Sequence, residues 1–484
     1  MLPGQYQRLG SQSPLRLRTS ATARRRITLI SIPTFLIILF FLFGPYNRSK
    51  KWGFGPPTYA KIRQFERELP QHNLDLPFPE GRTGRYVRFD NQVKMLGWNN
   101  VLNEVLMNAH LAYESKRSYV FQDYIWKPEY FPWPLPRYCI IFRKWCAPHT
   151  PLNAIIAGPT AGGPWDPNDD APRSISNEWF NVVCPLHERR IIDAYEVKQD
   201  IEWLTGDQIF ETWKRVLLDA PERCIEVKAV RTKEHNFPQL FDLYLWGSAR
   251  VLPLWDSFSK SPTSRLLDSS PLAKSAVYRN EYLFLPQGPR PALPASRDPF
   301  ERMLAMHVRR GDYKDACIDL AKWNSTFYSW NLLDVLPDHF EASAGGGWGW
   351  NSPENMEKYT EHCLPTLDAI VQKVRDSKDD FVNVGPRGDG TTHRTLDVLY
   401  LLTNEESEWL DQLKETLRRD GWHTIRTSRD LTLDQEQRDV SMAVDMDIAT
   451  RAAVFVGNGW SSFTSNIVHR RLVDGKEPIT IRFF

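Results

Sequence analysis

No C-x-x-C pair occurs among the six cysteines of this 484-residue chain, so a zinc module has no ligand spacing to rest on. Acidic residues are absent from positions 1 to 51, where nine Lys and Arg fall. An excess of positive charge is in turn absent from the rest, which holds 52 basic against 59 acidic residues; this excludes a nucleic-acid partner. There is no internal repeat. What remains is ordinary globular composition, 42% hydrophobic and 25% charged, on a chain too long for one core. Two domains and a tail are expected.

The basic head explains itself through "ITLISIPTFLIILFFLF" (27–43), a charge-free run directly after Arg24, Arg25 and Arg26. At helical rise it reaches about 26 Å, close to the thinner endoplasmic reticulum bilayer. The preceding arginines hold the amino terminus in the cytoplasm. A cleaved signal peptide is the competing reading, but the run is long for one and no A-x-A site follows. The expectation is one transmembrane signal anchor: a single-pass type II protein of the Golgi or endoplasmic reticulum with its catalytic part lumenal. Six cysteines suit that compartment, although six allow fifteen pairings. Of two N-x-S/T sequons, Asn47 lies close to the membrane run, so Asn324 is the expected glycosylation site.

Along the chain, 1–26 reads as a cytoplasmic tail, 27–43 as the anchor and 44–80, rich in Pro and charge, as a stem. Residues 81–298 begin with strand "RYVRF", helix "VLNEVLMNAHLAYES" capped by Asn99 or Asn100, and strand "SYVFQ". Residues 126–175 carry no readable pattern. After a Pro-rich hinge, 299–484 alternates strands (303–308, 396–404, 422–428, 453–458) with helices, one of which places Trp409, Leu410, Leu413 and Leu417 on one face and stops at Gly421. Such alternation predicts an α/β fold with parallel, doubly wound sheets.

Ligands bind such sheets beyond the carboxyl ends of the strands. Arg309, Asn404 and Asn458 each follow a predicted strand and are therefore expected to converge. Arg309 belongs to "AMHVRRGDY", and a guanidinium offers a permanently charged fork of donors for a phosphate. The last strand runs into "GWSSFTSNIVHRRL", where Ser461 or Ser462 caps a helix whose amino end is a natural anion seat. One pyrophosphate held between Arg309 and that helix end accounts for both motifs.

These residues resemble a family. Gly97-Trp98-Asn99-Asn100, then His307-Val308-Arg309, then "VDMDIATRAAVFVGNGWSSFTSNIVHRR" look like the GDP-fucose-dependent fucosyltransferases, among them the protein O-fucosyltransferases and, more distantly, the α1,6-fucosyltransferases. The resemblance implies a GT-B fold, two facing Rossmann-like domains with a cleft between them, working without a bound metal or other cofactor on GDP-fucose as donor substrate. It implies that Arg309 binds the β-phosphate and supports departure of the nucleotide. His307 would stand near the nucleoside, Ser461, Ser462 and Phe463 would form the phosphate-holding turn, and Asp445 would face guanine. Asn100 matches the asparagine of an amino-terminal loop, with Val101 where that loop usually has glutamine. Arg310 and Asp312 are placed in the donor site beside Arg309. Against this, successive side chains of an extended strand point to opposite sides, which gives Arg310 a structural reading too.

Other candidates compete. "DMD" (445–447) resembles the D-x-D that holds a divalent cation, but it falls within a predicted helix. Trp98 and Trp460 flank the motifs and are the tryptophans expected nearest substrate, while "GGGWGWN" reads as a flap. Glu104 and Asp123 stand in the half that would meet an acceptor, each with a solvated reading beside that of a base. The expected function is inverting transfer of fucose to a protein or glycan hydroxyl. The alternatives are a catalytically silent nucleotide- or glycan-binding relative, or a same-fold enzyme using another nucleotide sugar.

Overall fold

A computed structural model describes residues 55–135, 147–230, 237–285, 298–311, 313–383 and 394–484. The apolar run 27–43, Cys139, Cys146, Asp312 and most of the Pro-rich hinge fall outside them; among the described residues no helix is long and apolar enough to cross a membrane. The chain divides into a small unit, 1–55 with 133–147, of which only Gly55, Trp133, Pro134, Leu135 and Ala147 are described, and a body, 56–132 with 148–484.

Two five-stranded sheets, parallel throughout, organise the body. The first joins β1 (Tyr86–Phe89), β2 (Ser118–Phe121), β3 (Ile175–Ser176), β4 (Arg189–Asp193) and β5 (Cys224–Lys228) in the order β3-β2-β1-β5-β4. The second joins β6 (Met303–His307), β7 (Val398–Leu402), β8 (Thr424–Thr427), β9 (Val454–Gly457) and β10 (Ile481–Phe483) in the order β8-β7-β6-β9-β10. That is the order of a Rossmann half, in which the chain winds outward from β6 in both directions. β6, β7 and β9 are buried at every residue, which is why they read as unbroken apolar runs rather than alternating ones.

Six helices matter for the site: α1 (Ala60–Arg67), α2 (Trp98–Glu114), α3 (Tyr313–Lys322), α4 (Glu408–Arg419), α5 (Ser441–Arg451) and α6 (Ser462–Val473). α4 buries Leu410, Leu413 and Leu417 against Leu399, Leu401 and Ile425 and is followed by Gly421 at φ 95°, as its sequence predicts. α2 starts at Trp98, with Gly97 rather than an asparagine at its N-cap. The asparagines are drawn elsewhere: Asn99 O accepts from Asn466 Nδ2 of α6 (2.9 Å) and Asn100 Oδ1 accepts from Tyr328 OH (3.1 Å). α2 thus ties the first half of the body to the second.

Two expectations are corrected and one gap is filled. The described part of the expected stem is packed into the body, because Tyr59 OH donates to buried Asp439, Arg63 grips Asp123 with two bonds (2.7 and 2.6 Å), and Gln71 Nε2 donates to Gly162 O and Ser174 O. The unreadable region 126–175 contributes His149–Thr150, paired antiparallel with Tyr124–Ile125 just before it, and ends where β3 begins, elements too brief to leave a period. At Asn324 the amide nitrogen that a glycan would occupy donates to Ser343 O (2.8 Å), and its oxygen accepts from Asn351 and Tyr359. Two disulfides form among the described cysteines, Cys184–Cys224 and Cys317–Cys363.

Candidate active site at the switch point of the second sheet

Strand order reverses at β6, whose neighbours are β7 on one side and β9 on the other. A crevice opens beyond the carboxyl ends at such a point, because the two loops leave in opposite directions. The β6 loop carries Arg309 and Arg310; the β9 loop leads through Asn458, Gly459, Trp460 and Ser461 into α6. Two glycines make the second turn this tight. A Cβ at Gly457 would lie 2.5 Å from Thr464, and one at Gly459 would lie 2.3 Å from the Phe327 ring.

The two loops touch directly. His307 Nδ1 lies 3.1 Å from Thr464 Oγ1, and its ring meets Phe463 edge-on at 4.9 Å. Burial, helped by the Arg309 charge, pushes the His307 imidazole down to about 3, so it is neutral at working pH and holds position rather than charge. Ser461 caps α6, its hydroxyl accepting from Phe463 N (3.2 Å). With that oxygen committed, an anion at this helix end would be met by backbone N–H groups and by half-buried Ser462. The Arg309 guanidinium lies over the Tyr313 ring, 4.8 Å from its centre, and Tyr313 OH donates to Asn458 Oδ1 (3.1 Å). Asn404 also arrives: its Oδ1 accepts from Arg310 N and its Nδ2 donates to Arg310 O, both at 3.4 Å. The convergence of Arg309, Asn404 and Asn458 is therefore observed.

Other expected site residues stand differently. Asn100 is brought in from the first half through Tyr328, whose own N–H donates to Gly459 O (2.9 Å). Arg310 turns away from the β9 turn: its guanidinium stacks on Trp409 at 4.2 Å and donates to Pro365 O. This is the structural role that alternation along an extended chain favours, and it replaces the donor-site assignment. Asp445 stands across β7, accepting from Tyr400 OH (2.6 Å) and from Ser428 Oγ (2.8 and 2.9 Å). Its D-x-D partner Asp447 faces Arg451 (3.8 Å) one helical turn on. Positions i and i+2 of a helix point some 200° apart, so the two carboxylates do not form a chelating pair; among the described residues no cluster of three His, Cys, Asp or Glu could hold a metal ion.

Trp98 and Trp460 are packing residues. Trp98 sits edge-on to Tyr124, and Trp460 is enclosed by Phe327, Phe340 and Tyr359 while its Nε1 donates to Ser325 O. Both solvated readings fail as well: Asp123 is bound by Arg63, and Glu104 is buried, accepting from Val93 N (2.7 Å) in the loop that leads to Asn100. Tyr313 and Tyr328, which carry much of the wiring, stand three and eighteen residues after Arg310, and neither spacing forms a motif.

Burial pushes the Glu104 carboxyl up to about 8. A carboxyl raised in the folded state stabilises most at low pH, and that contribution drains as pH climbs from the ordinary range through 8, at about 1.4 kcal/mol per pH unit. Glu104→Gln keeps an acceptor for Val93 and cannot ionise. Its melting temperature, near wild type at pH 5, is expected to exceed wild type by several degrees at pH 8.5; an offset equal at both pH values would reject this account.

By sequence the chain matches no protein-family model and no curated protein. Among solved structures it is similar to POFUT1 in complex with GDP-fucose, at 13% identity over 83% of this chain and 97% of that one, with a TM-score of 0.45. It is also similar to POFUT1 in complex with GDP, at 14% identity over 81% and 97% (TM-score 0.43), and to the fucosyltransferase NodZ from Bradyrhizobium, at 12% over 80% and 93% (TM-score 0.36).

Proposed function

We propose that this chain is a GDP-fucose-dependent glycosyltransferase that moves fucose, with inversion, to a hydroxyl of a protein or glycan. The observation that carries the reading is the meeting of the Arg309 loop with the amino end of α6 at one switch point, through His307–Thr464 and Tyr313–Asn458. A diphosphate seated there receives a fixed guanidinium from one side and helix N–H groups from the other. When the bond from the sugar C1 to the phosphate oxygen breaks, its electron pair stays on the leaving GDP. The sugar gains oxocarbenium character, and the acceptor oxygen bonds to C1 from the opposite face and gives up its proton to solvent. Donors already aimed at the phosphates favour the charge that grows in this transition state over the ground state. The arginine supplies that charge, so the reaction is read as metal-independent. The motif resemblance selects guanine and fucose. The charge-free run 27–43, read as a signal anchor, supports a lumenal reaction in the Golgi or endoplasmic reticulum.

The test is calorimetric titration of the lumenal portion with GDP, UDP and CDP, followed by hydrolysis of a panel of nucleotide sugars with and without EDTA. GDP binding with EDTA-insensitive hydrolysis of GDP-fucose is expected. Binding without hydrolysis would favour the silent relative, and preference for another sugar would replace the donor.

Asp445 supplies a pH signature. Burial pushes its carboxyl up to about 6, and Tyr400, the titratable side chain against it, is held far above its ordinary value and stays protonated. Guanine N–H groups need the ionised carboxylate as acceptor. GDP affinity is therefore expected to be level above pH 7 and to fall about tenfold per unit well below 6. Asp445→Asn, titrated with GDP across the same range, should be weaker than wild type above pH 7 and flat, so that the two converge at low pH.

A further inference from the structure

Asn458 is almost completely buried, and its side chain reaches three separate pieces of chain. Its Oδ1 accepts from Tyr313 OH (3.1 Å) and from Trp460 N (3.0 Å); its Nδ2 donates to Cys363 O (3.0 Å). Each partner belongs to a different part of the site. Trp460 N is the backbone of the β9 turn, two residues before the α6 N-terminus. Tyr313 is the first residue of α3, and its ring lies under the Arg309 guanidinium. Cys363 is disulfide-bonded to Cys317, one turn along α3 from Tyr313. The helix that supports Arg309 is thus held to Asn458 twice, once through the tyrosine hydroxyl and once through the disulfide and the Cys363 carbonyl. Burial keeps the Tyr313 hydroxyl protonated, so it donates at any working pH.

We infer that Asn458 and Tyr313 form a positioning unit that sets the distance between Arg309 and the amino end of α6, and so fixes the grip on a diphosphate. The inference rests on the function proposed above and adds a residue pair to it. Neither side chain needs to touch the donor. A hydroxyl and an amide, buried and satisfied only by each other and by backbone, have one low-energy arrangement, because any displacement leaves an orphaned polar group. The β6–β9 pairing and the His307–Thr464 contact hold the roots of the two loops together; beyond them the Tyr313–Asn458 bond fixes the loops at the level of Arg309.

Tyr313→Phe removes only the hydroxyl and keeps the ring beneath Arg309. The experiment is a double-mutant cycle on GDP affinity with wild type, Tyr313→Phe, Arg309→Ala and the double variant, each with a thermal melt. Tyr313→Phe is expected to weaken GDP binding about five- to tenfold with little change in melting temperature. In the Arg309→Ala background the same change should cost less than twofold, because the group it positions is gone. Asn458→Ala should weaken binding more and also lower the melting temperature, since it strands Trp460 N and Cys363 O; should it fail to fold, Tyr313→Phe decides alone. Equal losses in both backgrounds, or none in either, overturn the inference while leaving the proposed function standing. Wild type that binds no GDP overturns both.

Discussion

Arg309→Ala is expected to cut donor turnover about a thousandfold while leaving the melting temperature near that of wild type. Removing one preorganised donor from a site of growing negative charge typically costs about 3 to 4 kcal/mol of transition-state stabilisation. Arg309 is only partly buried, stands in the loop after β6 and rests on the face of Tyr313, and substitutions at such loop positions move stability little. Arg309→Lys restores charge without the planar fork and should recover part of the rate. The measurement is single-turnover GDP-fucose hydrolysis beside a melt of each variant. An alanine variant with near-normal rates would falsify the assignment of the leaving-group role.

Arg471→Leu is expected to do the reverse. This guanidinium is fully buried near the carboxyl end of α6 and donates to the carbonyls of Ala449, Thr450, Ala452, Ala453 and Thr480, at 2.5 to 3.3 Å, and to Thr480 Oγ1. Those carbonyls end α5, open the approach to β9 and lead into β10, so one side chain staples three elements. Leucine fills most of the volume but takes the donor away from six acceptors at once. With a penalty of about 1 to 3 kcal/mol for each buried group left unpaired, and some relaxation, a loss of at least about 4 kcal/mol follows. For a body of this size that is a fall of roughly 5 °C in melting temperature, or failure to accumulate folded protein. A melt within 2 °C of wild type would show that water or a shifted backbone satisfies the carbonyls.

These arginines have the same chemistry and each stands in a stretch dense with charge, "VRRGD" and "HRRL". What separates Arg309 from Arg471 in the sequence is position relative to a strand end, and that cue works because parallel strands deliver their carboxyl ends to one edge. It fails one residue later. Arg310 shares the cue with Arg309, yet Trp409 and Pro365 O take it, and neither partner is visible from the nonapeptide. Trp98 and Trp460 fail similarly: adjacency to a motif suggested substrate contact, whereas aromatic neighbours from distant segments enclose them. The packed segment 56–80 was read as a stem because Pro and charge look the same in a linker as in a strap, until Asp439 and Asp123 supply partners.

Four of the five strands of the second sheet, the face of α4, the cap of α6 and the placing of Arg309 and Ser461 at one sheet edge were all determined by the sequence itself. Each depends on periods and neighbours a few residues apart, and chain chirality then leaves few ways to wind a parallel sheet. The wiring of that edge was decided only by tertiary structure: Tyr313 on Asn458, Tyr328 between Asn100 and Gly459, Asp445 between Tyr400 and Ser428, and Glu104 sealed under Val93. Those contacts join residues 11 to 228 positions apart. A buried polar group accepts whichever partner the packed halves bring within hydrogen-bond reach, and no local pattern encodes that choice.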